Sequence, residues 1–285
     1  MQQVRDQFSP YHFDGTEIDW TKPFAGTLFR LPIRTAEQAE TSSLSKRALT
    51  VEEGLALLDS LEQEASAMLL FLNNVESMEI SHWEEGATKP TLRFKCHISN
   101  VSREQRATRA FVKDKNRHKQ ALEQHKEFAA DYSLDIDCTK YLVRTGAGQG
   151  MSPLNYVEKW EVCNQLGGGN ASRIAGHPKN ALLRLVPWGG LAACVSTGEA
   201  SKEGALSSAS AVRSGLAYCF LPLPIQTGLP VMVNAFFELS SNRRDIWQAG
   251  VDMTGDGQTR AEWNLSLMRD LIAPSYVRLL LRLKQ

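Results

Sequence analysis

The stretch Leu221 to Trp247, LPLPIQTGLPVMVNAFFELSSNRRDIW, joins a long apolar run to a compact polar loop. Val231, Val233, Phe236, Phe237 and Leu239 are mostly β-branched or aromatic. Gly228 and Pro230 close the run on one side and Ser240, Ser241 and Asn242 on the other, the pattern of a buried strand delivering a turn. Two adjacent cations, Arg243 and Arg244, then fall where loops carry binding groups. Two readings stand at that point: local ion pairs with carboxylates such as Asp245, or contact with a phosphate or a protein partner.

Outward from this stretch, the chain reads as a soluble α+β protein with mixed or antiparallel sheets and packed helices. Thr50 and Glu53 form a Thr-x-x-Glu capping box before an amphipathic helix, Val51 to Leu72, whose Leu55, Leu58, Leu61, Ala65, Met68, Leu69 and Leu72 share one face. Residues 75–83 and 91–99 read as a hairpin, and Tyr132 to Val143 and Tyr156 to Asn164 as longer strands. Ala181 to Trp188 and Leu191 to Val195 read as adjoining strands, followed by a Ser/Gly/Ala-rich loop from Ser196 to Ser210 and a strand from Leu216 to Leu221. Arg260 to Lys284 is helical in pattern, with Pro274 expected to kink or restart it. Gly26 to Ile33 alternates Thr27, Phe29, Leu31 and Ile33 on one side of an expected strand.

Composition narrows the function classes. The 285 residues carry 42% hydrophobic and 22% charged residues, which excludes a disordered chain, and 32 basic against 32 acidic residues give no global field toward nucleic acid or an acidic membrane. The N-terminal residues have no apolar signal core, and no run approaches the roughly 18 apolar residues of a membrane span. A cytoplasmic or nuclear address is expected. The cysteines, Cys96, Cys138, Cys163, Cys194 and Cys219, are odd in number and set in apolar or alternating runs, as reduced core residues are.

Enzyme motifs are sparse. Neither Thr145 to Gly150 nor Gly167 to Asn170 has P-loop or dinucleotide-fold spacing, and both read as turns. Asp252 to Gly257 begins like a calcium loop, but Trp263 stands where the bidentate acid belongs. His118 and His125 have no third ligand for zinc, and there is no nucleophile elbow. The one electrostatic asymmetry runs from Arg103 through Arg106, Arg109, Lys113 and Arg117, a stripe diluted by Glu104, Asp114 and Glu123. It reads as a solvated helix face, with a nucleic-acid or acidic-partner contact as the other reading.

Three islands of sequence resemble one family. The strings L-P-L-P, T-G-L-P-V and F-x-L-S-S-N-R-R-D-I-W within residues 221–247 are similar to the second half of a sacsin repeat, the unit built around a heat-shock protein 90-like ATPase domain. Phe24 to Thr35 resembles that family's F-x-G-T-L-F-R-x-P-x-R-T segment. Trp263-Asn264, Asp270, Ala273-Pro274 and Tyr276 resemble its W-N and D-x-x-A-P-x-Y pattern.

The resemblance implies a chain that begins at the last strand of a truncated heat-shock protein 90-like domain, over residues 1–80, followed by a second, middle-like domain over 81–285. Gly26 and Thr27 are then vestigial nucleotide contacts, and Asn242, Arg243 and Arg244 a phosphate or partner contact. By analogy with related ATPases, Arg243 or Arg244 could reach a γ-phosphate. The family's magnesium-binding helix, Asp-x-Gly-x-Gly segment and Gly-rich lid are not recognisable in the 285 residues, and Met232 stands where the family often has histidine. The resemblance therefore implies a chaperone or quality-control module acting on client or co-chaperone proteins, with no catalytic residue and no metal site. It implies no cofactor in this chain, ATP and magnesium belonging to a complete repeat. The alternative it leaves is the second domain of an ATPase.

Overall fold

In a computed structural model the described residues are 31–72, 74–83, 89–99, 114–143, 151–199, 214–248 and 254–284, with Gly26, Thr27, Phe29, Ala87 and Gly250 as isolated positions. The elements run α1 (Ala36–Thr41), α2 (Val51–Phe71), β1 (Ser77–His82), β2 (Thr91–Ser99), α3 (Lys115–Glu123), β3 (Phe128–Val143), β4 (Met151–Leu166) and α4 (Gly169–Gly176). After a 3₁₀ turn at Pro178–Leu183 come β5 (Trp188–Glu199), β6 (Leu216–Cys219), β7 (Leu221–Gln226), β8 (Met232–Ala235), α5 (Asp256–Leu267), a π-helical segment Met268–Ile272 and α6 (Ala273–Leu283). This is the expected α+β class, with one mixed sheet of order β1-β2-β3-β4-β5-β8-β6-β7. Among the described residues no helix is long and apolar enough to cross a membrane.

The chain divides into two compact units, Met1–Gln63 with Glu79–Phe94 and Glu64–Met78 with Lys95–Gln285. In the first, the capping box forms as read: Thr50 N donates to Glu53 Oε2 (2.9 Å) and Glu53 N to Thr50 Oγ1 (3.2 Å), satisfying two donors the helix leaves free. Arg93 Nε bonds Glu62 Oε1 at 3.1 Å, which neutralises an otherwise buried carboxylate. The expected strand from Gly26 to Ile33 does not form among its described residues, where Phe29 and Leu31 are exposed. Pro32 removes a ladder donor there, and Thr35 already serves as the N-cap of α1.

The second unit is built on two long strands. β3 and β4 pair antiparallel without a break from Phe128↔Leu166 to Val143↔Met151, and β5 continues the ladder. β8 is buried at all four residues because it lies between β5, antiparallel, and β6, parallel. Cys163, Leu191, Val233 and Ala235 on the sheet pack with Trp263, Leu267, Leu271 and Leu279 of the C-terminal helical run. A second cluster gathers Ala121, Ala130, Leu166 and Trp188, with Phe220 stacked on Trp188 at 5.7 Å. Three of the five cysteines, Cys96, Cys138 and Cys163, are buried, and none of the five is in a disulfide.

Two local expectations are corrected and one alternative is decided. Residues 181–187 are not a strand: Pro178 starts a 3₁₀ turn, His177 Nδ1 accepts from Lys179 N (3.2 Å), and Arg184 ends it in the left-handed region at φ 50°. Of the two arrangements open for the C-terminal segment, a kinked run or a restarted helix, it forms one helical run, because the π-helical turn falls just before Pro274 and leaves the proline in the first turn of α6. The strand read across 231–239 stops at Ala235: Phe236 N still reaches Trp188 O at 3.4 Å, and from there the side chains of Trp263 and Asn264 take up Phe236 O and Glu238 N. Of the basic stretch, residues 103–113 lie outside the described residues, as do Thr145 to Gly150. Its remaining part, α3, is capped by Asp114, which also pairs with Arg117 at 3.5 Å, while Lys119 pairs with Glu123 at 3.9 Å.

Candidate functional site

The arginine loop leaves β8 as a small hairpin. Leu239 and Ile246 form an antiparallel bridge, Trp247 N donates to Glu238 O (2.9 Å), and Ser240 N donates to Asp245 O (2.9 Å). At the tip Arg243 N closes a turn on Ser240 O at 2.8 Å. Asn242 Oδ1 accepts from Ser240 Oγ (2.6 Å) and Arg244 N (2.9 Å), so Asn242 shapes the loop. Arg243 sits at φ 57°, a conformation that costs a side-chain-bearing residue about 1 kcal/mol and that glycine or asparagine would adopt more cheaply.

Two residues of α5 fix this loop. Trp263, fully buried, donates from Nε1 to Phe236 O (2.9 Å). Asn264, 4% exposed, donates from Nδ2 to both Glu238 O and Trp247 O (2.8 Å each) and accepts from Glu238 N at 2.9 Å. One amide side chain therefore holds both strands of the hairpin at its foot. Trp247 in turn donates to Gly257 O (3.0 Å), and Arg260 pairs with Glu238 at 3.2 Å while lying 5.8 Å over the Trp247 ring. The Trp-Asn pair gives no sign of this in the sequence beyond its place in the family pattern. Its partners are backbone groups 17 to 27 positions upstream.

The arginines themselves are exposed, and among the described residues neither pairs with a carboxylate, Asp245 included. Burial raises the Cys219 thiol above its usual value, and the nearby Arg243 charge opposes that rise. Beside the hairpin foot opens a pocket of about 640 Å³. Gln258, Ala261, Glu262, Leu265 and Met268 line it from the helical run, and Ile225, Ile246 and Trp247 from the other side. Leu265 is 64% exposed, an apolar side chain left in water on the pocket wall.

The other motif residues build a support rather than a site. Asp270, placed by the π-helical segment, accepts from Ala171 N (3.0 Å) and so caps α4, whose N-terminus is formed by Gly167, Gly168 and Gly169, all at positive φ. A Cβ on Gly169 would stand 2.5 Å from Asp270 Cγ, so the Gly-rich loop is a seat for that carboxylate. Arg278 ties α6 to the sheet through Asp131 (3.1 Å), Gln165 Oε1 (2.9 Å) and Asn164 O (2.8 Å). Gly26 and Thr27 are exposed and lie in irregular backbone. His125 lies beyond the end of α3, so it shares no helical face with His118, and among the described residues no group of three His, Cys, Asp or Glu could hold a metal.

The family model described as the Sacsin domain matches residues 1–95. Human Sacsin is 32% identical over 266 residues, 91% of this chain and 5% of that protein. The chain therefore spans a small fraction of the curated relative it matches. No solved structure matches the chain.

Proposed function

This chain belongs among the sacsin-like proteins, and from that premise we propose that it acts in protein folding or quality control by holding client or co-chaperone segments. The supporting observation is the pocket of about 640 Å³, with exposed Leu265 on its wall, at the foot of a stapled loop that presents two arginines without a carboxylate partner among the described residues. Such a surface suits transient capture of apolar chain, and a partly apolar concave pocket with a few polar groups is the usual form of a binding site. In this reading residues 1–80 belong to a heat-shock protein 90-like region and 81–285 to a second domain. The chain alone turns over no nucleotide and needs no cofactor, and stoichiometric ATP binding by the purified chain would overturn that.

The test is aggregation of a heat-denatured client enzyme followed by light scattering, with the chain at equimolar concentration and serum albumin as control. Suppression beyond the albumin level supports the reading, and scattering identical to the control refutes it. A second reading rests on the same two cations, with Arg243 or Arg244 reaching the γ-phosphate in a complete repeat and Gly26 and Thr27 touching adenine. It requires that alanine at both arginines abolish turnover of the complete repeat while nucleotide binding is retained.

A further inference from the structure

The residues of the helical run that line the pocket, 258, 261, 262, 264, 265 and 268, are spaced three or four apart from one another and so form one stripe along the helix, with the stapling Asn264 on it. Ten residues at a rise of ~1.5 Å make that stripe roughly 15 Å long. At ~3.3 Å per residue, an extended segment of four or five residues covers it. The walls are chiefly apolar, and the one acid on the stripe, Glu262, is engaged by Asn170 Nδ2 at 3.0 Å. Arg260 is likewise committed to Glu238 and Trp247. The uncommitted charge next to the groove is positive: Arg243 and Arg244, two to three residues from Ile246 on the groove wall. That separation is at most ~10 Å along the hairpin.

We propose that this groove binds a short peptide segment with an apolar anchor and, about three residues away, one or two carboxylates. The apolar side chains enter between Leu265, Met268 and Ile246, and the carboxylates meet the guanidinium groups at the hairpin tip. The stapling by Asn264 and the left-handed Arg243 hold the two parts of the site at a fixed separation, so register along the peptide matters as well as composition. The proposal names the partner chemistry for the site of the folding reading and rests on that reading.

The experiment uses the full 285-residue chain and fluorescein-labelled 12-residue peptides read by anisotropy. One peptide carries a Leu-x-x-Leu-Phe core followed after three residues by Asp-Glu. The second has Lys-Lys in place of Asp-Glu, and the third moves the acids next to the core. The acidic peptide should bind at least about tenfold tighter than the lysine peptide at low salt, and the shifted peptide more weakly than the first. Replacing both Arg243 and Arg244 by Glu should reverse the charge preference. Leu265→Asp, a change at an exposed position, should weaken all three peptides about tenfold or more. Ala261→Trp, which fills the groove floor, should do the same if circular dichroism shows it folded.

Equal affinity for the acidic and lysine peptides overturns the proposal, as does indifference to Leu265→Asp, absence of binding, or displacement of the acidic peptide by ATP. Aggregation suppression without peptide binding removes the groove but leaves the folding reading. Peptide binding without aggregation suppression does the reverse.

Discussion

Asn264→Leu tests whether the arginine loop is held by one side chain. The substitution keeps the four-atom branched side-chain shape at a site only 4% exposed and leaves no cavity, so the lost hydrogen bonds are its main change. Three bonds disappear, but their consequences differ. Glu238 O keeps Trp247 N at 2.9 Å, whereas Glu238 N and Trp247 O lose the amide that satisfies them. Two part-buried backbone groups left without partners cost about 1–3 kcal/mol each, giving a loss of roughly 2–6 kcal/mol. For a domain near 200 residues that lowers Tm by roughly 4–24 °C. Chemical denaturation measures the loss directly, and amide exchange should show protection vanishing at Trp247 and Ser240 before it falls in β3 and β4. A loss below about 1 kcal/mol, with Trp247 still protected, would refute the stapling argument.

Gly169→Ala puts a methyl group 2.5 Å from Asp270 Cγ at a residue with φ 49°, so the Ala171 bond to Asp270 must break. A destabilisation of about 1–3 kcal/mol is expected in urea, against nearly none for Gly198→Ala, whose Cβ would meet nothing within 4 Å. Burial pushes the Cys96 and Cys163 thiols up to about 12 from the usual 9.0, with nearby Glu158 and Asp131 adding to the rise. The folded state then keeps its protons while the unfolded chain loses them, so this contribution is complete below pH 9.0 and is lost as pH rises toward about 12. Unfolding stability should fall across that window, and replacing both cysteines by alanine should flatten the fall. In native chain at pH 8 an aromatic disulfide reagent should label part-exposed Cys194 well before Cys96 or Cys163.

Where the local signal and the tertiary demand agree, the sequence is a good guide. The Thr50-Glu53 box, the paired segments around residues 75–99 and the two long strands all carry their own pattern, and each forms. Ala181 to Val186 misleads because an apolar run without alternation says nothing about backbone shape, and Leu182 ends up 94% exposed in a 3₁₀ turn. The loop arginines are visible in the sequence, but what frees them is not. The bonds that fix the hairpin come from Trp263 and Asn264, and the polar side chain that shapes its tip is Asn242. The groove is invisible for the same reason, since its walls come from β7, the hairpin and α5.

The arginines of the second unit divide by what they meet. Arg278 makes bonds to Asp131, Gln165 and Asn164, and Arg282 bonds Glu161 through Nε at 2.9 Å, so these two lock the last helix to the sheet. Arg260 is held by Glu238 and Trp247. Arg243 and Arg244 alone among these five are exposed on a backbone fixed by eight hydrogen bonds' worth of neighbours that belong to other residues, from Ser240, Asn242 and Asp245 at the tip to Asn264 and Trp263 at the foot. A loop that needed only to connect β8 to α5 would not require a left-handed arginine or a buried amide spent on its foot. The strain and the staple both make sense if the charges must stand at a set distance from the apolar groove, because pre-organised cations give up less freedom when a carboxylate arrives. On that argument loosening the foot should weaken an acidic ligand through a faster off-rate, by more for the acidic peptide than for the lysine peptide because Asn264 also lines the groove both would occupy, and an unchanged off-rate in folded Asn264→Leu would separate the loop's rigidity from its use.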